Sequence, residues 1–251
     1  MALKVLILGG TTEASALARK VAGDARLAPL LSLAGRTTNP QPQPIPVRVG
    51  GFGGIDGLVK FLRGEVVDTV VDATHPYADQ MSAHAVAACK ETSVPLASLV
   101  RPEWRHETGD RWQIVANTEA AADALGPEPR RVFLSLGRQD LHVFAHAPQH
   151  HYLARLIERP DQAALPPDLR LLQARGPFDR ADEERLLRRE CIDVLVSKNA
   201  GGTATYAKIE AARALGLPVV MIARPHKPAG IVMADVEACV AWVHGLAPRG
   251  V

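Results

Sequence analysis

The 251-residue chain has three cysteines, Cys89, Cys191 and Cys239, odd in number and far apart. That excludes a disulfide framework and any C-x-x-C metal site, and the three read as core thiols in or near helical patterns. Long apolar runs are missing too. None approaches the roughly 18 residues of a membrane-spanning helix, and no charged segment leads into an apolar stretch and a cleavage site at the start. The expectation is a cytoplasmic protein with no membrane partner. An excess of one charge is absent: 29 Lys and Arg face 27 Asp and Glu, a formal net charge of +2, too little for a sequence-independent nucleic-acid binder. Familiar catalytic signatures are missing as well. There is no G-x-x-x-x-G-K-[ST], no G-x-S-x-G and no H-E-x-x-H. The nine histidines include His142 and His146 at helical i, i+4 spacing, but no carboxylate completes a metal set, so no metal is expected.

What is present is an ordinary globular composition, 47% hydrophobic and 22% charged, enough apolar side chain for one large domain or two small ones. Short β-branched runs alternate with helical stretches, the pattern of parallel sheets covered by helices. Strands are expected at 5–8, 28–33, 47–49, 69–72, 96–100, 131–135, 151–157, 171–174, 194–197 and 219–223, and the class is α/β. The two halves also resemble each other. VDTVVDATHPYA from Val67 leads through a helical stretch to VPLASLVRP, and IDVLVSKNAGGT from Ile192 leads likewise to LPVVMIARP; KVLILGG from Lys4 is matched by RVFLSLG from Arg131. Two tandem, doubly wound domains follow, 1–128 and 129–251, with the boundary in the Pro- and Gly-containing turn at 126–130. Ligands of such sheets sit beyond the carboxyl ends of the strands, so the site is expected in the cleft between the halves.

The loops after the strands hold the candidate chemistry. Gly9, Gly10, Thr11, Thr12 and Glu13 depart from G-x-G-x-x-G, because Thr11 and Ala14 stand at the second and third glycine positions. The glycines still allow close backbone approach, and the next helix aims its N–H groups at that point; the alternative is a glycine turn with Thr11 or Thr12 as helix cap. After the second strand come Gly35, Arg36 and Thr37. An NAD-specific site carries Asp or Glu there, whereas Arg accommodates a 2′-phosphate, so NADP(H) is the dinucleotide expected if one binds here; a solvated surface arginine is the alternative. Thr74, His75 and Tyr77 follow the strand at 69–72. Ser197, Lys198, Asn199, Gly201, Gly202 and Thr203 take the equivalent place in the second half, with Thr203 as the helix cap if it has no ligand role. Arg101, Trp104, Arg105, Arg138 and Arg224 gather guanidinium groups and one aromatic at strand ends, which suits a flat ligand with several carboxylates; ordinary surface arginines are the alternative. Glu103 and Asp140 moderate that charge.

Taken in order, LGGTTEA from Leu8, SLAGRT from Ser32, VDATHPYA from Val71, RPEW from Arg101, SKNAGG from Ser197 and MIARP from Met221 resemble the precorrin-6A reductase family of cobalamin biosynthesis. The resemblance spans essentially the whole chain. It implies two Rossmann-like domains, an NADPH-dependent reduction of a tetrapyrrole macrocycle by hydride transfer to a ring carbon, and hand-over with other enzymes of that pathway. It assigns Gly9 to Glu13 and Arg36 to NADPH, with Thr74, His75, Tyr77 and Ser197 to Thr203 beside it. It names no proton donor; His75 and Lys198 are candidates, and solvent is the alternative source. The rivals are an NADP-dependent reductase of another substrate, for which Tyr206 and Lys208 lack the Tyr-x-x-x-Lys spacing, and a non-catalytic NADPH sensor.

Overall fold

The computed structural model describes residues 1–35, 41–159, 165–227 and 230–247. The chain divides into two compact units, Met1–Pro102 with Pro225–Val251, and Glu103–Arg224.

In the first unit the strands are β1 (Leu3–Leu8), β2 (Leu27–Leu33), β3 (Val47–Val49), β4 (Thr69–Asp72), β5 (Leu96–Leu99) and, from far along the chain, β12 (Ile231–Met233). They form one parallel sheet in the order β12-β5-β4-β1-β2-β3. The second unit holds β6 (Trp112–Val115), β7 (Arg131–Ser135), β8 (His151–Leu156), β9 (Leu169–Gln173), β10 (Val194–Lys198) and β11 (Val219–Ile222). Its sheet, also parallel, has the order β6-β11-β10-β7-β8-β9. The first unit is therefore a 3-2-1-4-5-6 Rossmann-like sheet; the second repeats that arrangement except that its outer strand, β6, comes first in the unit rather than last, so the internal similarity of the sequence covers the five other strands. Central strands such as β4 and β11 are buried along their whole length, which is why they read as continuous apolar runs rather than alternating ones.

The helices are α1 (Thr12–Val21), α2 (Gly54–Gly64), α3 (Asp79–Thr92), α4 (Thr118–Asp123), α5 (Arg180–Arg189), α6 (Ala207–Ala214) and α7 (Val236–Leu246), with a 3₁₀ helix at Arg138–His146. In the first unit α2 and α3 cover one face through Leu58, Leu62, Ala85 and Cys89. On the other, Leu17 and Val21 of α1 meet Cys239 and Val243 of α7. In the second, Leu187 of α5 and Ile209 of α6 close over Phe133 and Leu195. There a fully buried ion pair ties β8 to α5: Arg155 donates to Glu183 through both guanidinium arms and stacks on Phe178 at 3.6 Å.

Two features correct the sequence reading. A single crossing at 126–130 does not describe the division, because β6 pairs with β11 and β12 with β5. Relative to that turn each sheet takes one edge strand, and the helix that follows it, from the other side: β6 and α4 precede the turn and belong to the second unit, while β12 and α7 lie after it and belong to the first. Neither strand is among those expected. And while Cys89 and Cys239 are buried, Cys191 is exposed, in the turn between α5 and β10.

Candidate functional site

At the carboxyl end of the first sheet, β1 stops at Leu8 because Gly9 turns the chain into α1. The Gly9 N–H donates to Ser32 O at 2.9 Å, and a Cβ on Gly9 would lie 2.6 Å from Leu31 Cδ1, so only glycine lets the turn pack this close to β2. Gly10 has φ +118° and open space around the position of a side chain, leaving its backbone accessible. The Thr11 hydroxyl accepts from Ala14 N at 3.1 Å and donates to Ala73 O at 2.8 Å. It is the helix cap, the alternative reading of this loop, and its side chain is committed. The first N–H groups of α1, those of Thr12 and Glu13, have no acceptor within the helix. Glu13 Oε2 accepts from Thr12 Oγ1 at 3.1 Å and from Arg101 Nη1 at 2.6 Å. Gly35 follows β2 with φ +74°; Arg36 and Thr37 lie outside the described residues.

The loop after β4 is organised by Asp72, which is 1% exposed. Its carboxylate accepts from Thr74 N at 3.0 Å, Thr74 Oγ1 at 2.6 Å, Ser82 Oγ at 2.5 Å and Lys227 Nζ at 3.3 Å. Thr74 thus spends its proton on Asp72. His75 Nδ1 accepts from Tyr77 N at 3.3 Å and its ring lies 5.7 Å from that of Tyr77, so Nδ1 serves the loop. Sequence reasoning missed Asp72, Ser82 and Lys227. A carboxylate closing an apolar strand was the available signal, since a buried charge demands donors, but Ser82 and Lys227 come from α3 and from the distant return segment. Burial, with the Asp72 charge nearby, pushes the Cys89 thiol up to about 12, which makes it inert as a nucleophile.

In the second unit the loop after β10 is knitted just as tightly. Asn199 Oδ1 accepts from Trp104 N at 2.8 Å while its Nδ2 donates to Trp104 O at 3.1 Å. The Trp104 indole N–H donates to Gly202 O at 2.7 Å, and Arg224 donates to the carbonyls of Asn199 at 2.8 Å and Ala200 at 3.0 Å. Trp104, which is buried, and Arg224, which is partly buried, both expected among substrate contacts, brace this loop, and Asn199, expected at the cofactor, is their anchor. Gly201 and Gly202 both adopt φ +69°. Ser197 is buried, its hydroxyl on Lys198 O at 3.1 Å. Thr203 is not a helix cap, since α6 begins at Ala207 behind Tyr206. Lys198 Nζ donates to Asp140 Oδ2 at 2.7 Å. Arg138 faces Glu158 at 3.9 Å and stays exposed, as does Arg105. Among the described residues no group of three or more His, Cys, Asp or Glu is placed to hold a metal, and no helix is long and apolar enough to cross a membrane.

A family profile described as Precorrin-6x reductase CbiJ/CobK matches residues 4–244. The chain belongs to that family. Among its relatives, the precorrin-6A reductase of Rhodobacter capsulatus is 50% identical over 250 residues, covering 99% of each chain. The cobalt-precorrin-6A reductase of Priestia megaterium is 29% identical over 250 residues, covering 94% of this chain and 96% of that one. A solved structure titled CobK precorrin-6A reductase superposes with a TM-score of 0.93 at 49% identity, over 99% of this chain and 100% of that one. As a member of the precorrin-6x reductase family this chain is an oxidoreductase of the cobalamin pathway with two Rossmann-like sheets, and a reductase of that fold implies a nicotinamide cofactor.

Proposed function

We propose that this chain reduces the metal-free macrocycle precorrin-6A with NADPH. The observation that carries the reading is the 50% identity, over 99% of both chains, to a protein named precorrin-6A reductase, against 29% to one named for the cobalt-bearing substrate. When bound, NADPH supplies the hydride for a ring carbon. The residues present fit such a cofactor. Gly10 leaves room for a pyrophosphate at the backbone while Gly9 lets the turn pack on β2, the Thr12 and Glu13 N–H groups lie at the positive end of α1, and Arg36 follows β2 in sequence, where a 2′-phosphate is read. The acetate and propionate arms of the tetrapyrrole call for cations, which Arg105 and Arg138, both exposed, would supply from the loops that hold them.

Mixing the protein anaerobically with NADPH and precorrin-6A should change the tetrapyrrole absorbance, with cobalt-precorrin-6A turned over more slowly. No change with either macrocycle would dismiss the reading. Arg36→Ala should weaken NADPH binding by about 1.5–3 kcal/mol, the range for hydrogen bonds to a charged group, while leaving NADH binding nearly unchanged. Equal losses for both cofactors in a titration would remove Arg36 from the 2′-phosphate.

A further inference from the structure

We infer that Arg101 positions the cofactor rather than the substrate: its guanidinium neutralises Glu13 so that a pyrophosphate can settle at the start of α1. The inference rests on the NADPH reading above and deepens it.

Arg101 Nη1 donates to Glu13 Oε2 at 2.6 Å, and the two side chains are only 15% and 21% exposed. Glu13 is the second residue of α1, in the turn whose N–H groups lack intrahelical acceptors. A carboxylate there is held by the same positive helix end that would hold a pyrophosphate, so an uncompensated Glu13 competes with the ligand for that field and repels its negative charge. Thr12 Oγ1 donates to the same carboxylate oxygen, but a hydroxyl carries no charge and cannot cancel it. Arg101 does so from two residues beyond β5, which is separated from β1 by β4. The pair therefore joins the segment after β5 to the start of α1, elements that are not neighbours in the sheet. An ion pair between two separate loops, partly buried and joining residues 88 apart in sequence, is a feature of the carboxyl end of the sheet and not an incidental surface contact. It also explains how an acidic residue is compatible with an anion site.

The test measures NADPH dissociation constants by nucleotide fluorescence, without tetrapyrrole, for the whole wild-type protein and for Arg101→Gln, Arg101→Lys, Glu13→Gln and the Arg101→Gln/Glu13→Gln double variant. Arg101→Gln should bind about tenfold more weakly, as expected for one uncancelled charge in a partly buried site. Arg101→Lys should stay within about threefold of wild type because the charge remains, and Glu13→Gln should bind more tightly. The decisive result is the double variant, which should return to within about twofold of wild type, a charge rescue that a merely structural pair would not show. Thermal melts of all four exclude unfolding as the cause. A double variant as weak as Arg101→Gln overturns the inference, as does an Arg101→Gln protein whose NADPH affinity is intact while its KM for the tetrapyrrole rises. Wild-type protein that binds no NADPH overturns the cofactor reading itself, and this inference with it.

Discussion

Asn199 illustrates how a single amide can fix a loop. Its carbonyl and amino ends meet the N–H and C=O of one residue, Trp104, and its own backbone carbonyl takes the Arg224 guanidinium. Asparagine alone supplies donor and acceptor at this reach. Asn199→Ala would leave two buried backbone groups of Trp104 unsatisfied, and Asn199→Asp would put an acceptor against the Trp104 carbonyl. Both should lower stability by about 2–4 kcal/mol in urea titrations, with Asp no better than Ala. A loss under about 0.5 kcal/mol would show that Trp104 is held by its packing instead. The sequence marks Asn199, Trp104 and Arg224 as strand-end residues, because strand ends follow from apolar runs. It does not reveal that they serve one another, since Asn199 and Trp104 stand 95 positions apart. Arg101 follows the same pattern: a strand-end arginine is legible, whereas its choice of Glu13 over a ligand carboxylate depends on which strands are neighbours.

Elements show a corresponding limit. The start of α1 is legible because its cap is local: Thr11, three residues before Ala14, is both the N-cap and the brace to Ala73 at the end of β4. Thr11→Ala should cost about 1–2 kcal/mol, the upper part of the range for a lost cap because a second hydrogen bond goes with it, while Thr11→Ser should melt with the wild type. If Ala and Ser variants unfold at the same temperature, the hydroxyl contributes nothing and α1 is set by its apolar face alone. Thr203 shows the converse. It stands where a cap would be expected after the SKNAGG turn, yet the chain runs on to Ala207 before α6 begins. The two strands missing from the sequence reading, β6 and β12, are short segments of four and three residues. Neither has an apolar run or a clean alternation long enough to announce itself, and each is a strand only because the edge of a sheet is there to receive it.

At the scale of the whole molecule, the return of the chain to supply β12 and α7 to the first unit decides which stretches of chain can fold alone. Everything the second sheet needs, from β6 to β11, lies within Glu103–Arg224. The first sheet is different. Its core includes Cys239 and Val243 of α7, fully buried, with Met233, Val236, Val240 and Trp242 packed against it. Removing residues 225–251 uncovers the apolar face of α1 and strips β12 from β5. With about 1.5–3 kcal/mol for each buried large aliphatic side chain, the loss from these residues matches the 5–15 kcal/mol that holds a typical domain together. Residues 103–224 expressed alone should therefore melt cooperatively, whereas 1–102 should not. The fragment 1–128, which a boundary in the 126–130 turn would recommend, should be no better, since it keeps Trp112–Val115 without their partner strand β11. A permuted chain in which residues 225–251 precede residues 1–102 through a flexible linker should recover a cooperative transition, by circular dichroism and by dispersed amide resonances. If 1–128 folds cooperatively and the permuted chain does not, the sixth strand and α7 are accessories, and the sequence-level boundary is the physical one.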